Sequence, residues 1–154
     1  VSATWIAAAA LCLGIVLWCA GSAGARRFRL TRVDVALPGW PAELDGLTVL
    51  HLADLHTRRG GPVEAWLRHL AETEPPPDLL VFTGDFAEGQ AAITPCLEAL
   101  RGLRAKVGRF AVLGNNDVPS AAHKAALEAG LAELGIEVLD DRAVALDVGG
   151  RRLW

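Results

Sequence analysis

The chain has 154 residues, 52% of them hydrophobic, with 15 Lys and Arg against 18 Asp and Glu and a net charge of −3. This balance carries no basic stripe of the kind a nucleic-acid binder needs, so no nucleic-acid partner is expected, and the length suits one domain with a substantial core. Of three cysteines, Cys12 and Cys19 sit in an apolar run and Cys96 stands alone. That leaves no disulfide framework or zinc spacing, and each reads as a small buried apolar residue.

No charged side chain precedes Arg26, and Thr4 to Ala25 is long enough to cross about 30 Å of hydrocarbon as a helix. Residues 1–25 are therefore expected to form a transmembrane anchor. The chain contains no Met, and Val1 is read as its N-terminus. Ala23-Gly24-Ala25 resembles a cleavage site, but Arg26, Arg27, Arg29 and Arg32 follow the apolar run and no basic side chain precedes it. The positive-inside rule then favours an uncleaved single span at the cell membrane with the domain in the cytoplasm. Residues 26–46 read as a basic juxtamembrane segment with a first strand at Thr31–Leu37, where apolar and polar side chains alternate until Pro38-Gly39-Trp40-Pro41.

Residues 47–154 alternate strand and helix patterns. Leu47 to Ala53 is a nearly continuous apolar run, as expected for a strand covered on both faces. A helix follows with Pro62 in its first turn and Val63, Trp66, Leu67 and Leu70 on one face, ending at Glu74-Pro75-Pro76-Pro77. Leu79–Thr83 is a second strand, and the next helix is expected to open at Thr94-Pro95 with Leu97, Leu100 and Leu103 inward. Phe110–Leu113 is a third strand. A helix then runs from a Ser120 cap to Gly135 with Leu127, Leu131 and Leu134 inside. Strands at Ile136–Leu139 and Ala143–Val148 follow, and Gly149-Gly150 turns the chain into another strand that reaches Trp154. Such alternation implies an α/β sheet with right-handed crossovers, whose ligand cleft lies at the carboxyl ends of the strands.

The polar residues stand at those ends. Ala53-Asp54-Leu55-His56 follows the first buried strand, Gly84-Asp85 the second, and Gly114-Asn115-Asn116-Asp117 the third. Asp54 and His56, two apart on extended backbone, can point the same way and chelate one ion. Asp85 can place a carboxylate between two ions, and Asn115 offers a neutral amide oxygen suited to Mn, Mg or Fe and acceptable to Zn. Gly84 and Gly114 permit tight turns and leave space for a phosphate near the main chain. Each motif alone also reads as a cap or a turn-rich loop. Their order, their spacing of about 30 residues and their place directly after apolar strands favour a site. His51 reads as core packing, His69 and His123 as surface residues, and Trp40 and Trp66 as packing residues.

Taken together, these motifs resemble the calcineurin-like metallophosphoesterase family, and in particular its bacterial members with an N-terminal membrane span. The resemblance covers Arg29 to Trp154. It implies a four-layer αββα sandwich and two divalent metal ions (Mn, Fe, Zn or Mg), with Asp54 and His56 on the first ion, Asp85 bridging and Asn115 on the second. It further implies hydrolysis of phosphate esters through a metal-bridging hydroxide, with Asn116 and Asp117 as the catalytic residues beside the metals.

Two departures qualify that expectation. Asn116 stands where the family has a His, which tilts the substrate toward phosphodiesters or activated leaving groups; at the membrane, a phosphodiester or a lipid-linked phosphate is the expected substrate class. The family's later lone His and Gly-His-X-His do not occur before Trp154, so the metallophosphoesterase domain is expected to be incomplete and the chain alone inactive. The alternative is a non-catalytic binding or scaffolding module of the same fold at the membrane.

Overall fold

The computed structural model describes residues 3–24 and 27–154. Val1, Ser2, Ala25 and Arg26, on which the readings of the start and of cleavage depend, lie outside the described residues. The chain divides into two compact units, Val1–Asp34 and Val35–Trp154.

The first unit holds helix α1 (Ala3–Gly24), rich in Ala and Leu and free of Pro, a composition that favours helix on propensity alone. On it Leu11, Leu13, Ile15, Val16 and Leu17 are more than half exposed. Cys12 and Cys19 are exposed on it, not buried as expected. Among the described residues no helix is long and apolar enough to cross a membrane, so the transmembrane helix expected at residues 1–25 is not supported. The strand expected at Thr31–Leu37 also does not form. Alternation makes a strand only where a neighbour completes the hydrogen-bond ladder. No described strand pairs with this stretch, and Val33 and Val35 are largely exposed.

In the second unit, strands β1 (Val49–Leu52), β2 (Leu79–Thr83), β3 (Gly108–Val112) and β4 (Glu137–Val138) form one sheet in the order β1-β2-β3-β4, every pair parallel. Helices α2 (Pro62–Thr73), α3 (Gln90–Leu100) and α4 (Ala121–Glu133) are the crossovers, with α2 against α3 and α3 against α4. Leu52, Leu80, Phe82 and Ala111 on the sheet meet Leu67, Leu70, Cys96, Leu100, Leu127 and Leu131 on the helices in one buried core. Gly130 lets α3 and α4 approach closely, because a Cβ there would collide with the Leu97 side chain. The opposite sheet face is open: Val49 and Val112 are 53% and 41% exposed. The described residues thus give an α/β layer with a parallel four-stranded sheet, and the first strand is covered on one face where two were expected. A hairpin of β5 (Leu146–Val148) and β6 (Arg151–Leu153) turns at Gly149-Gly150, both at positive φ. Arg151 ties it by an ion pair of 2.8 Å to Glu43, inside the 3-10 turn Ala42–Leu44 that Trp40 braces through its Nε1–H to the Leu44 carbonyl.

The helix ends follow the sequence. The Ser120 hydroxyl accepts from the His123 N–H, and α4 closes with Gly135 at φ +69°, its N–H on Ala132 and that of Ile136 on Leu131. The start of α3 departs from expectation: it begins at Gln90 and contains Pro95. An interior proline costs a helix about 3 kcal/mol. Here Ala92, Ile93, Cys96, Ala99 and Leu100 carry one buried face through it. Two polar side chains are also buried, one of them, His123, expected at the surface. His123 is inside α4's packing with Nε2 unbonded, and Glu64 lies 2% exposed on α2 with neither carboxylate oxygen hydrogen-bonded.

Candidate metal centre

The three motifs meet beyond the carboxyl ends of β1, β2 and β3. Asp54, His56 and Asp85 each offer one ligand atom, and those atoms all lie within 4.8 Å of one another. The backbone that carries them is not extended, as the sequence suggested. Asp54 (φ +50°), His56 (φ +41°) and Asp85 (φ +56°) are all left-handed. For a residue with a Cβ this conformation costs about 1–2 kcal/mol, and Asp and His tolerate it better than most. Of the four non-glycine residues at positive φ among those described, three are these candidate ligands. Strain of this kind gathers where structure serves a site.

The strain is held by main-chain bonds between the two loops. The N–H groups of Asp54, His56 and Thr57 donate to the carbonyls of Gly84, Asp85 and Phe86 at 3.2, 2.8 and 3.0 Å, and that of Glu88 returns to Thr57 at 3.0 Å. Buried Leu55 pins the first loop, and the buried Thr57 hydroxyl donates to the Phe86 carbonyl at 2.7 Å. Gly84 must be glycine twice over: its φ is +84°, and a Cβ would strike the Gly114 backbone. A Cβ on Gly114 would in turn occupy the Asp85 carboxylate.

Asp85 accepts from the Asn116 backbone N–H at 3.1 Å and from its side-chain Nδ2 at 2.8 Å, and its Oδ2 lies 3.5 Å from His56 Nε2. Asn116's two bonds hold the Asp85 carboxyl below the usual carboxylate range; His56 adds to this and burial opposes it. Exposed Asn115 opens the 3-10 turn Asn115–Asp117 beside them.

Asp117 differs from the role the sequence suggested for it. It is fully buried, and its carboxylate accepts from the N–H groups of Asp85, Phe86 and Gly114 at 2.7, 2.8 and 2.8 Å. This is the geometry of a positioning residue that joins the second and third loops. His51, expected in the core, is exposed on the open sheet face with Nε2 2.7 Å from the Thr83 hydroxyl. Cys96 lies buried beneath the loops, its thiol pushed up to about 11 by burial.

Sequence reasoning missed Glu88. It lies 3.7 Å from His56 Nδ1 and pairs with Arg58 at 2.7 Å, and the Arg58 hydrogen bond lowers its carboxyl pKa. Its only signal was its place three residues after Asp85, which gains meaning once the two loops are seen to pair. Two carboxylates and an imidazole converging on one point suit a divalent Mn, Fe or Zn ion, so the donor set fits the metal the resemblance implies.

Comparison with known proteins bears on the family. Over 93 residues the chain is 39% identical to the UDP-2,3-diacylglucosamine pyrophosphatase LpxG of Chlamydia trachomatis, covering 58% of this chain and 28% of that protein. It is 36% identical over 74 residues to the uncharacterized metallophosphoesterase YkoQ of Bacillus subtilis, covering 46% of this chain and 27% of YkoQ. The chain thus spans little more than a quarter of the length of these relatives. Among solved structures, the phosphopantetheinyl hydrolase PptH of Mycobacterium tuberculosis aligns with 64% of this chain and 37% of its own at a TM-score of 0.45 and 23% identity. The profile of the calcineurin-like phosphoesterases matches residues 47–149, which contain all three motif loops, and the chain belongs to that family.

Proposed function

We propose that the protein to which this chain belongs hydrolyses phosphate esters with the help of two divalent ions, Asp54 and His56 serving one, Asp85 both and Asn115 the other. The observation that carries this reading is the convergence of Asp54, His56 and Asp85 within 4.8 Å on left-handed backbone. Bound ions there supply charge for the phosphate oxygens and a water of lowered pKa. The residues supply the rest. Asn116 donates from its side chain toward the site and suits leaving groups that depart without a proton. Asp117 keeps the second and third loops in register. Likeness to two chlamydial proteins named as UDP-2,3-diacylglucosamine pyrophosphatases favours a phosphate anhydride or diester on a lipid-linked substrate.

The membrane anchor and the cytoplasmic side of the domain belong to the same proposal. They rest on the sequence: 22 residues of uncharged helix followed by arginines, with the side chains at 3, 4, 6, 9 and 23 outside the described set. The four-layer sandwich is likewise proposed, with a second sheet on the open face that carries Val49 and Val112.

The test is Mn(II) titration calorimetry of the chain in detergent, with aryl phosphodiester hydrolysis by the full-length protein. Asp85→Ala is expected to weaken Mn(II) binding more than any other single ligand change and to abolish turnover. Unchanged affinity in that variant removes Asp85 from the site. Tight Mn(II) binding without turnover favours the binding-module alternative.

A further inference from the structure

His56 stands between two carboxylates. Its Nε2 faces Asp85 Oδ2 at 3.5 Å and its Nδ1 faces Glu88 Oε1 at 3.7 Å, so the two ring nitrogens address opposite sides. Only the Asp85 side is the candidate metal centre; Glu88 does not belong to the converging set. Glu88 is nevertheless fixed. Its N–H bonds to the Thr57 carbonyl, a bridge pairs Thr57 with Ala87, and Arg58 bonds both its carboxylate oxygens at 2.8 and 2.7 Å. The loop pairing that strains His56 therefore also delivers Glu88 to the far edge of the imidazole.

An imidazole that ligates a cation through one nitrogen does so best when the proton is kept on the other, and a carboxylate at that other nitrogen both holds the proton and fixes the ring plane. We infer that Glu88 is a positioning residue for His56: it keeps the imidazole proton on Nδ1 and turns the Nε2 lone pair toward Asp54 and Asp85, while Arg58 holds Glu88 in place. The inference rests on the metal reading above. It adds that His56's competence as a ligand is set by a residue 32 positions away that touches no metal.

The experiment has two readouts on the whole chain in detergent. The first needs no metal: nitrogen-15 chemical shifts of the His56 ring report which nitrogen carries the proton. Nδ1–H is expected in the parent, a mixture shifted toward Nε2–H in Glu88→Ala, and recovery in Glu88→Gln, whose amide oxygen can accept from Nδ1–H. The second is Mn(II) affinity by calorimetry, expected to fall about 10- to 100-fold in Glu88→Ala and much less in Glu88→Gln. Arg58→Ala is expected to fall between them.

An unchanged tautomer in Glu88→Ala overturns the inference, including when affinity drops, because a loss without a tautomer change is only structural. If Glu88→Ala does not fold, Glu88→Thr decides in its place, since its short side chain cannot reach Nδ1: a tautomer shifted toward Nε2–H supports the inference, and a parent-like tautomer overturns it. His56→Ala separates the two levels. If it leaves Mn(II) binding intact, the metal reading fails. If it abolishes binding while Glu88→Ala changes nothing, the metal reading stands and the positioning role falls.

Discussion

The two ends of the parallel sheet use aspartate carboxylates in contrasting ways. At the amino ends, Asp78 accepts from the Thr48 N–H and hydroxyl at 2.8 and 2.7 Å and pairs with Lys106 at 3.0 Å, while its own N–H returns to the Thr48 hydroxyl. One side chain thus ties the entries to β1, β2 and β3, and no residue in that clamp has positive φ. At the carboxyl ends Asp117 plays the tying part, but the loops it joins carry Asp54, His56 and Asp85 in left-handed backbone. The amino end is satisfied and relaxed. The carboxyl end is satisfied at Asp117 so that strain can persist beside it, with polar groups gathered on one point.

If that contrast is right, removing Asp117 has the largest effect. Asp117→Ala strands three N–H groups of the loops, and a bond to a charged partner contributes about 1.5–3 kcal/mol. A loss of at least about 3 kcal/mol in urea unfolding is expected, and a loss under about 1 kcal/mol would mean that something else holds the carboxyl end together.

Asp78→Asn comes next and sharpens the comparison through pH. Thr48's hydrogen bonds, with help from Lys106, lower the Asp78 carboxyl from 3.8 to about 2. A carboxyl lowered on folding stabilises fully above its unfolded pKa, and that contribution fades as pH falls from about 4 toward 2. Discounted for its one-fifth exposure, it is worth about 1–2 kcal/mol at neutral pH. The variant's stability should therefore fall less steeply with acid than the parent's. Parallel acid limbs would remove Asp78 as the source.

Asn116→Ala has the smallest expected effect, about 0.5–1 kcal/mol in the metal-free chain, because it deletes one hydrogen bond to Asp85 from an exposed side chain, which water largely replaces. Thermal unfolding with chelator present measures it. A cost equal to that of Asp117→Ala would erase the distinction between a residue that ties the loops and one that faces the site.

Much of this was legible in the chain itself. Leu79–Thr83 forms the expected strand residue for residue, and the Ser120 and Gly135 ends of α4 follow local chemistry. The placing of Asp54, Asp85 and Asn115 after apolar strands led to the right end of the sheet because parallel topology sends those loops there. What local pattern could not supply was set by pairing at a distance. The left-handed φ of Asp54 and His56 exists only because residues 84–86 bond across to them. Glu88 matters only through that same pairing, and Thr31–Leu37 alternates without finding a neighbour. Helical spacing likewise misplaced His123, read as a surface residue, and gave no sign that Glu64 would turn inward.

The back-to-back seating of Gly84 and Gly114 has a consequence for how this chain can vary. Gly84 lacks a side chain for the sake of the Gly114 backbone and Gly114 for the sake of Asp85, and Gly84 must also remain left-handed. A replacement at either position cannot be absorbed by rotating a neighbour alone, because backbone would be struck in both cases, that of Gly114 in one and of Asp85 in the other. In a saturation library both codons should be among the least permissive in the domain, below even Leu80 and Phe82, where a smaller apolar residue leaves a hole but not a collision. Gly60 and Gly39 also sit at positive φ, but with open space around their Cα atoms, and should accept Asn.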